Sequence, residues 1–196
     1  MTKIAVIIPS IGRPTLKRAL ESLLNQSDSD WTAYVGFDAC TPPEPFSDNR
    51  INYSYLIKKT GGGHNHGGMV RNHLFNLTQA DWVCFLDDDD SFRPEYINSL
   101  RSEISANPSA DCIVFRMSKN SQDRALDLLP PAAHIKNQEI RVTKIGVSFA
   151  VKREFLVNNN LNFINNSFED FKLLEKIKKH GGNIFLSSLI MYNVRY

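Results

Sequence analysis

Cysteine is scarce in this 196-residue chain: there are three, Cys40, Cys84 and Cys112. An odd number without metal-ligand spacing argues against a disulfide framework and against a cysteine metal site. Cys84 and Cys112 fall inside apolar runs and read as small core hydrophobes. Long apolar runs are missing as well. The opening stretch Ile4 to Ile8 stops at Pro9, too short for a signal-peptide core or a membrane span. A cytoplasmic protein with no membrane span is therefore expected, any membrane association coming through a partner or a larger parent chain. Excess charge of one sign is also absent, because 23 Lys and Arg stand against 21 Asp and Glu for a formal net charge of +2. The nearest thing to a basic run, Lys176 to His180, closes a predicted helix, where cations suit the dipole. Nucleic acid is not the expected partner.

What the chain does hold is a globular mixture, 42% hydrophobic and 22% charged, long enough for one α/β domain with a core that needs no disulfides. Lys3 to Pro9 is continuous, β-branched and closed by proline, the pattern of a strand buried on both faces. Pro14 opens a helix whose Leu16, Ala19, Leu20, Leu23 and Leu24 form one apolar stripe. Strands are predicted near Thr32 to Phe37 and Ile51 to Ile57. A glycine loop over 61–68 and a helix from Met69 to Thr78 follow, then a strand from Trp82 to Leu86. This order predicts a mostly parallel central sheet flanked by helices. Further on come a helix from Pro94, a strand near Cys112 to Met117, and a long polar loop over 118–138. The last third predicts a strand at Val147 to Val151, a helix from Glu169 to His180 stopped by Gly181-Gly182, and two strands, Ile184 to Leu186 and Leu189 to Val194.

The sharpest feature is Asp87-Asp88-Asp89-Asp90, directly after the fourth strand. In an open α/β sheet, ligands bind beyond the carboxyl ends of the strands. Two carboxylates about 4 Å apart repel by roughly 4 kcal/mol at an effective dielectric near 20. Such a cluster is explained by a divalent cation, or by an acidic turn before the helix at Pro94 with Ser91 as N-cap. A calcium EF-hand loop is excluded, because its glycine and its later ligating glutamate are missing.

Phe85-Leu86-Asp87-Asp88-Asp89-Asp90 resembles the DxD segment of family 2 glycosyltransferases of the GT-A fold. Four other pieces fall in the family's order. Val6 to Arg13 resembles its first strand and nucleotide-side turn, which implies donor contacts from Pro9, Ser10 and Arg13. Val35-Gly36-Phe37-Asp38 resembles the strand whose aspartate meets the base. Gly68-Met69-Val70-Arg71-Asn72 resembles its Arg-Asn helix start, and Phe168-Glu169-Asp170 its Glu-Asp motif. Departures are Phe-Asp-Ala-Cys after the second strand, a loop rich in glycine and histidine, and no long C-terminal extension. The resemblance implies one GT-A domain over 1–196, with a nucleotide-binding half (1–90) and an acceptor and catalytic-base half (91–196), and leaves room for a larger multidomain chain around it. It also implies transfer, with inversion, from a nucleotide-diphospho-sugar to a glycan, glycoprotein or glycolipid hydroxyl.

Resemblance and chemistry together assign Asp89 and Asp87 to Mn²⁺ or Mg²⁺, with Asp87 also at the ribose and Asp88 or Asp90 toward the donor sugar. Asp38, an acceptor-only carboxylate, suits the imide N–H of uracil and so a UDP or dTDP donor; its alternative is an Asx-turn. Arg71 is placed to hold a phosphate or a carboxylate, against the alternative of an exposed surface arginine. His66, with His64, is a weaker candidate for the diphosphate or the sugar. Asp170 is the expected base, with Glu169 beside it, although Ser167-Phe168-Glu169-Asp170 also fits a capping box. The rival readings are a sugar nucleotidyltransferase, for which the first turn carries too little glycine and basic charge, and a non-catalytic nucleotide-sugar-binding module.

Overall fold

In the computed structural model, β1 (Ile4–Ser10) is buried at all seven positions, as a strand covered on both faces requires. The residues described are 1–42, 44, 46–61, 66–119 and 128–194, so His64 lies outside them. α1 (Leu16–Leu24) buries Leu16, Ala19, Leu20 and Leu23, the stripe its spacing predicts. β2 (Thr32–Asp38) and β3 (Ile51–Leu56) add on one side of β1, both parallel. α2 (Gly68–Phe75) then returns the chain to β4 (Trp82–Phe85), parallel to β1 on its other side. The order β3-β2-β1-β4 sends all four carboxyl ends to the same edge. Asp38 and the aspartate run therefore meet there.

The second half is less regular. It contains β5 (Ser91–Phe92), α3 (Tyr96–Ala106), β6 (Cys112–Ser118), β7 (Leu128–Leu129), α4 (Ala132–Asn137), β8 (Phe149–Lys152), α5 (Arg153–Asn158), α6 (Glu169–Lys179) and β9 (Ile184–Asn193). Among the described residues the sheet has nine strands in the order β3-β2-β1-β4-β8-β6-β9-β5, with β7 on β6. β8 runs antiparallel to both β4 and β6, while β9 is parallel to β6. The long ladders are parallel and the short ones antiparallel, so the expected sheet is present with β8 reversed within it.

Local expectations shift in four places. The helix predicted from Pro94 begins at Tyr96, and Ser91 is no cap, because it pairs with Asn193 in β5. The stretch predicted as a long loop over 118–138 contains β7 and α4, residues 120–127 being outside those described. The two predicted C-terminal strands are one strand whose register shifts opposite Val114–Met117. At Ser187, in the middle of β9, the hydroxyl is fully buried and donates to Glu103 at 2.5 Å. That bond satisfies a polar group that would otherwise break an apolar strand.

One cluster of buried side chains joins both halves, from Val6 and Ile8 through Phe85 and Phe115 to Leu174 and Tyr192. Each large apolar side chain buried in this way contributes about 1.5–3 kcal/mol, which a chain without disulfides needs. The free thiols of Cys84 and Cys112 are wholly buried within it. Burial pushes the Cys84 thiol up to about 12, so it stays a neutral hydrophobe. Among the described residues no helix is long and apolar enough to cross a membrane.

Candidate active site

Beyond the carboxyl ends of β1, β2 and β4 lies a polar cleft of about 290 Å³. Pro9, Ser10 and Arg13 line it from the β1 turn, Asp38 from β2, and Asp87, Asp88 and Asp89 from β4. His66 and Arg71 line it from the start of α2, and Glu169 from the start of α6. Nearly every residue singled out in the sequence thus faces one space. Asp170 stands beside it, half-buried.

The β1 turn is fastened to the aspartates. Leu86 N–H still bonds Ile7 carbonyl at 3.0 Å, so Asp88 arrives opposite Ser10. Asp88 accepts from the Ser10 hydroxyl (2.8 Å) and the Ile11 N–H (3.2 Å), and its second oxygen pairs with Arg13 (3.0 Å). Burial raises the Asp88 carboxyl, while Ser10, Arg13 and Ile11 pull it back. Asp88 therefore spends its oxygens on the turn. Gly12 completes that turn at φ +82, where an added Cβ would lie 2.6 Å from Thr41 carbonyl oxygen. Only glycine meets both conditions cheaply.

Among the described residues Asp38 makes no Asx-turn. It is buried, and its carboxylate accepts Thr60 N–H (2.7 Å), Thr60 hydroxyl (2.9 Å) and Gly61 N–H (2.9 Å). These bonds tie the segment after β3 to the cleft wall. Three donors leave part of its acceptor capacity open.

Arg71 is 4% exposed and is no surface arginine. Its guanidinium forks between Asp87 and Glu169, and Glu169 also accepts Gly68 N–H at 2.9 Å. Burial alone would lower the arginine's pKa, but the Asp87 and Glu169 carboxylates hold it above the ordinary value. Gly68 permits this contact, because a Cβ there would lie 2.5 Å from the Glu169 carboxylate. α2 and α6 are thereby joined through one ion-paired triad.

The capping box that Ser167 to Asp170 also fits does not form. Phe168 occupies the N-cap position in the left-handed conformation (φ 59), and no side chain caps the helix. Asp170 instead accepts its neighbour's Phe171 N–H at 2.7 Å. Burial raises the Asp170 carboxyl, partly offset by that N–H and by Arg71.

The aspartate run forms a turn closed by Asp90 N–H to Asp87 carbonyl (3.1 Å). Oxygens of Asp87, Asp89 and Asp90 converge within 4.8 Å of one another. Asp89 shares Arg13 with Asp88, at 2.7 Å. A set of carboxylate oxygens suits a hard divalent cation such as Mg²⁺ or Mn²⁺, so these residues fit one. Asp90, left open beside Asp88 in the sequence, is the third converging group. Tyr192 has no local signal at all, yet its hydroxyl meets both ends of this turn across more than 100 residues.

Fold and cleft together define a GT-A type α/β domain in which the β1 turn and the acidic tip of β4 face one space. The chain belongs to glycosyl transferase family 2, whose family model matches residues 5–162. It is 26% identical over 185 residues to an uncharacterized glycosyltransferase of Haemophilus influenzae, covering 89% of this chain and 61% of that protein. The chain thus spans about three-fifths of the length of that curated relative. Among solved structures it resembles S. aureus TarS, with TM-score 0.78 and 19% identity over all of this chain and 37% of that one. TarS 1–349 in complex with UDP-GlcNAc matches with TM-score 0.78 and 18% identity, over 100% of this chain and 59% of the other. At such identities these likenesses speak for the fold.

Proposed function

We propose that the chain transfers a sugar from a nucleotide-diphospho-sugar, with UDP or dTDP as the nucleotide, to an acceptor hydroxyl with inversion. The observation that carries this reading is the convergence of Asp87, Asp89 and Asp90 at the tip of β4, beside the cleft that Asp38, Arg13 and Glu169 also line. Family membership supports it, as does the UDP-GlcNAc held by the TarS structure.

In this reading the β1 turn and Asp38 receive the nucleoside, the open acceptor capacity of Asp38 taking an imide N–H. Asp87, Asp89 and Asp90 would hold a divalent cation. Such a cation supplies electrostatic stabilisation to a departing diphosphate. Arg71 fixes Asp87 and the start of α6 through Glu169. Asp170 takes the acceptor hydroxyl's proton as the oxygen attacks the anomeric carbon; its raised pKa makes it a stronger base than an exposed aspartate. Residues 1–90 and 91–196 then act as donor and acceptor halves of one domain.

Calorimetric titration of UDP into the chain should show binding that depends on Mn²⁺ or Mg²⁺. Equal affinity in EDTA would remove the cation from the reading.

A further inference from the structure

The four aspartates lie on a turn that must stay rigid although its side chains repel. Backbone hydrogen bonding closes it once, from Asp90 N–H to Asp87 carbonyl at 3.1 Å. A second closure comes from outside. Tyr192, on the last strand β9, accepts Asp87 N–H at 3.2 Å and donates its own proton to an Asp90 carboxylate oxygen at 2.7 Å. One hydroxyl therefore touches the first and fourth residues of the turn.

The root of that hydroxyl is firm. Tyr192 is wholly buried, its ring is edge-on to Phe92 at 5.7 Å, and Phe92 in turn stacks on Tyr96. Its backbone pairs with Phe92 in β5 and with Met117 in β6. β5 begins one residue after Asp90, so strut and turn hang from the same short ladder.

We infer that Tyr192 is a positioning residue for the carboxylates that converge at the tip of β4: its hydroxyl fixes the orientation of Asp90 and the backbone at Asp87. The inference rests on the cation-dependent reading above. A tyrosine that merely satisfied its own hydroxyl would need one partner, and any core polar group would serve. This one spans the two ends of the acidic turn. Groups that orient carboxylate ligands in this way are worth about 10- to 100-fold in metal affinity.

The test is Mn²⁺ alone, titrated calorimetrically into the folded chain and into Tyr192→Phe, which keeps the ring and removes the oxygen. Mn²⁺ affinity should fall by about 10- to 100-fold while the far-ultraviolet circular dichroism stays that of the wild type. In an Asp90→Asn background the same substitution should cost little more, because both act through one carboxylate. A folded Tyr192→Phe with wild-type Mn²⁺ affinity overturns the role of Tyr192. Absence of Mn²⁺ binding to the wild type overturns the cation reading, and this inference with it. Should the variant fail to fold, the wild type carries the test. Mg²⁺ must then shift the Asp87 amide and Tyr192 ring resonances, and signals that do not move overturn the proposal.

Discussion

Arg71→Met removes one guanidinium and leaves a long apolar stem in its place, over the Phe163 ring that the guanidinium now faces at 5.4 Å. Two carboxylates then lose their counter-charge. Glu169 has an 11% exposed side chain and, among the described residues, keeps the Gly68 N–H alone, while Asp87 is 35% exposed and gains more from water. Removing one partner of a buried ion pair costs about 3–5 kcal/mol, and the partial exposure of Asp87 places this case at the lower end. A loss of about 3 kcal/mol in a chain of this size lowers Tm by roughly 6–12 °C. Urea unfolding at pH 7.5, followed by the fluorescence of Trp31 and Trp82, measures it. Glu169→Gln added to Arg71→Met should return about 1 kcal/mol or more, because a neutral amide needs no counter-ion. A single-variant loss below about 1 kcal/mol, or strictly additive losses, would show that the triad does not hold α2 to α6.

Asp170 and Gly12 give two further expectations. The Asp170 carboxyl is raised above its ordinary 3.8, so the folded state binds its proton more tightly than the unfolded chain does. The stability of that protonated form is full below the unfolded pKa and is lost as pH rises through the folded one. Asp170→Asn should therefore be more stable than the wild type at pH 7.5, with the advantage shrinking toward pH 4, while transfer is abolished. A variant less stable at every pH, or one still active, refutes the assignment. Gly12→Ala forces a side chain into a left-handed turn against Thr41 carbonyl oxygen at 2.6 Å. The expected cost is about 1–2 kcal/mol or more in urea unfolding, together with weaker UDP binding, and a neutral substitution would mean that the turn relaxes freely.

The first half of the fold was legible because each element there carries its own signal. β1 is a continuous β-branched run, α1 has one apolar stripe, and β4 is a bulky strand ending in charge. The second half depends on partners far away in sequence. β8 reads as a strand, but it runs antiparallel to both β4 and β6, and periodicity says nothing of direction. β9 looked like two strands because Ser187-Ser188 interrupts its apolar run, and the buried bond from Ser187 to Glu103 explains how it continues. The site divides in the same way. Asp87, Asp89, Asp38 and Arg71 stand at element ends, where sequence motifs can mark them. The capping box at Ser167 failed because Phe168 turns left-handed, a backbone choice rarely signalled by a phenylalanine. Tyr192 gave no signal, since its two bonds reach across the chain.

The way the acidic residues are paired bears on what the cleft is for. Four consecutive aspartates could avoid one another by pointing into water, at no cost to the fold. Here they do not. Asp88 is bound by Ser10, Ile11 and Arg13, Asp89 by Arg13, Asp87 by Arg71, and Asp90 by Tyr192. These partners come from the β1 turn, α2 and β9, so the whole fold converges to keep the charges together. Two of these partners are shared: Arg13 is divided between Asp88 and Asp89, and Arg71 between Asp87 and Glu169. Asp87 and Asp89 each share a counter-charge with a second carboxylate, at the place where their oxygens converge with those of Asp90. A protein selected for stability alone would relax that arrangement by a single substitution to asparagine. Retaining it makes physical sense when a cation completes the balance, and Asp89→Asn offers the measure. It should stabilise the metal-free chain while weakening Mn²⁺ binding, because the same repulsion is removed in one state and the same ligand lost in the other.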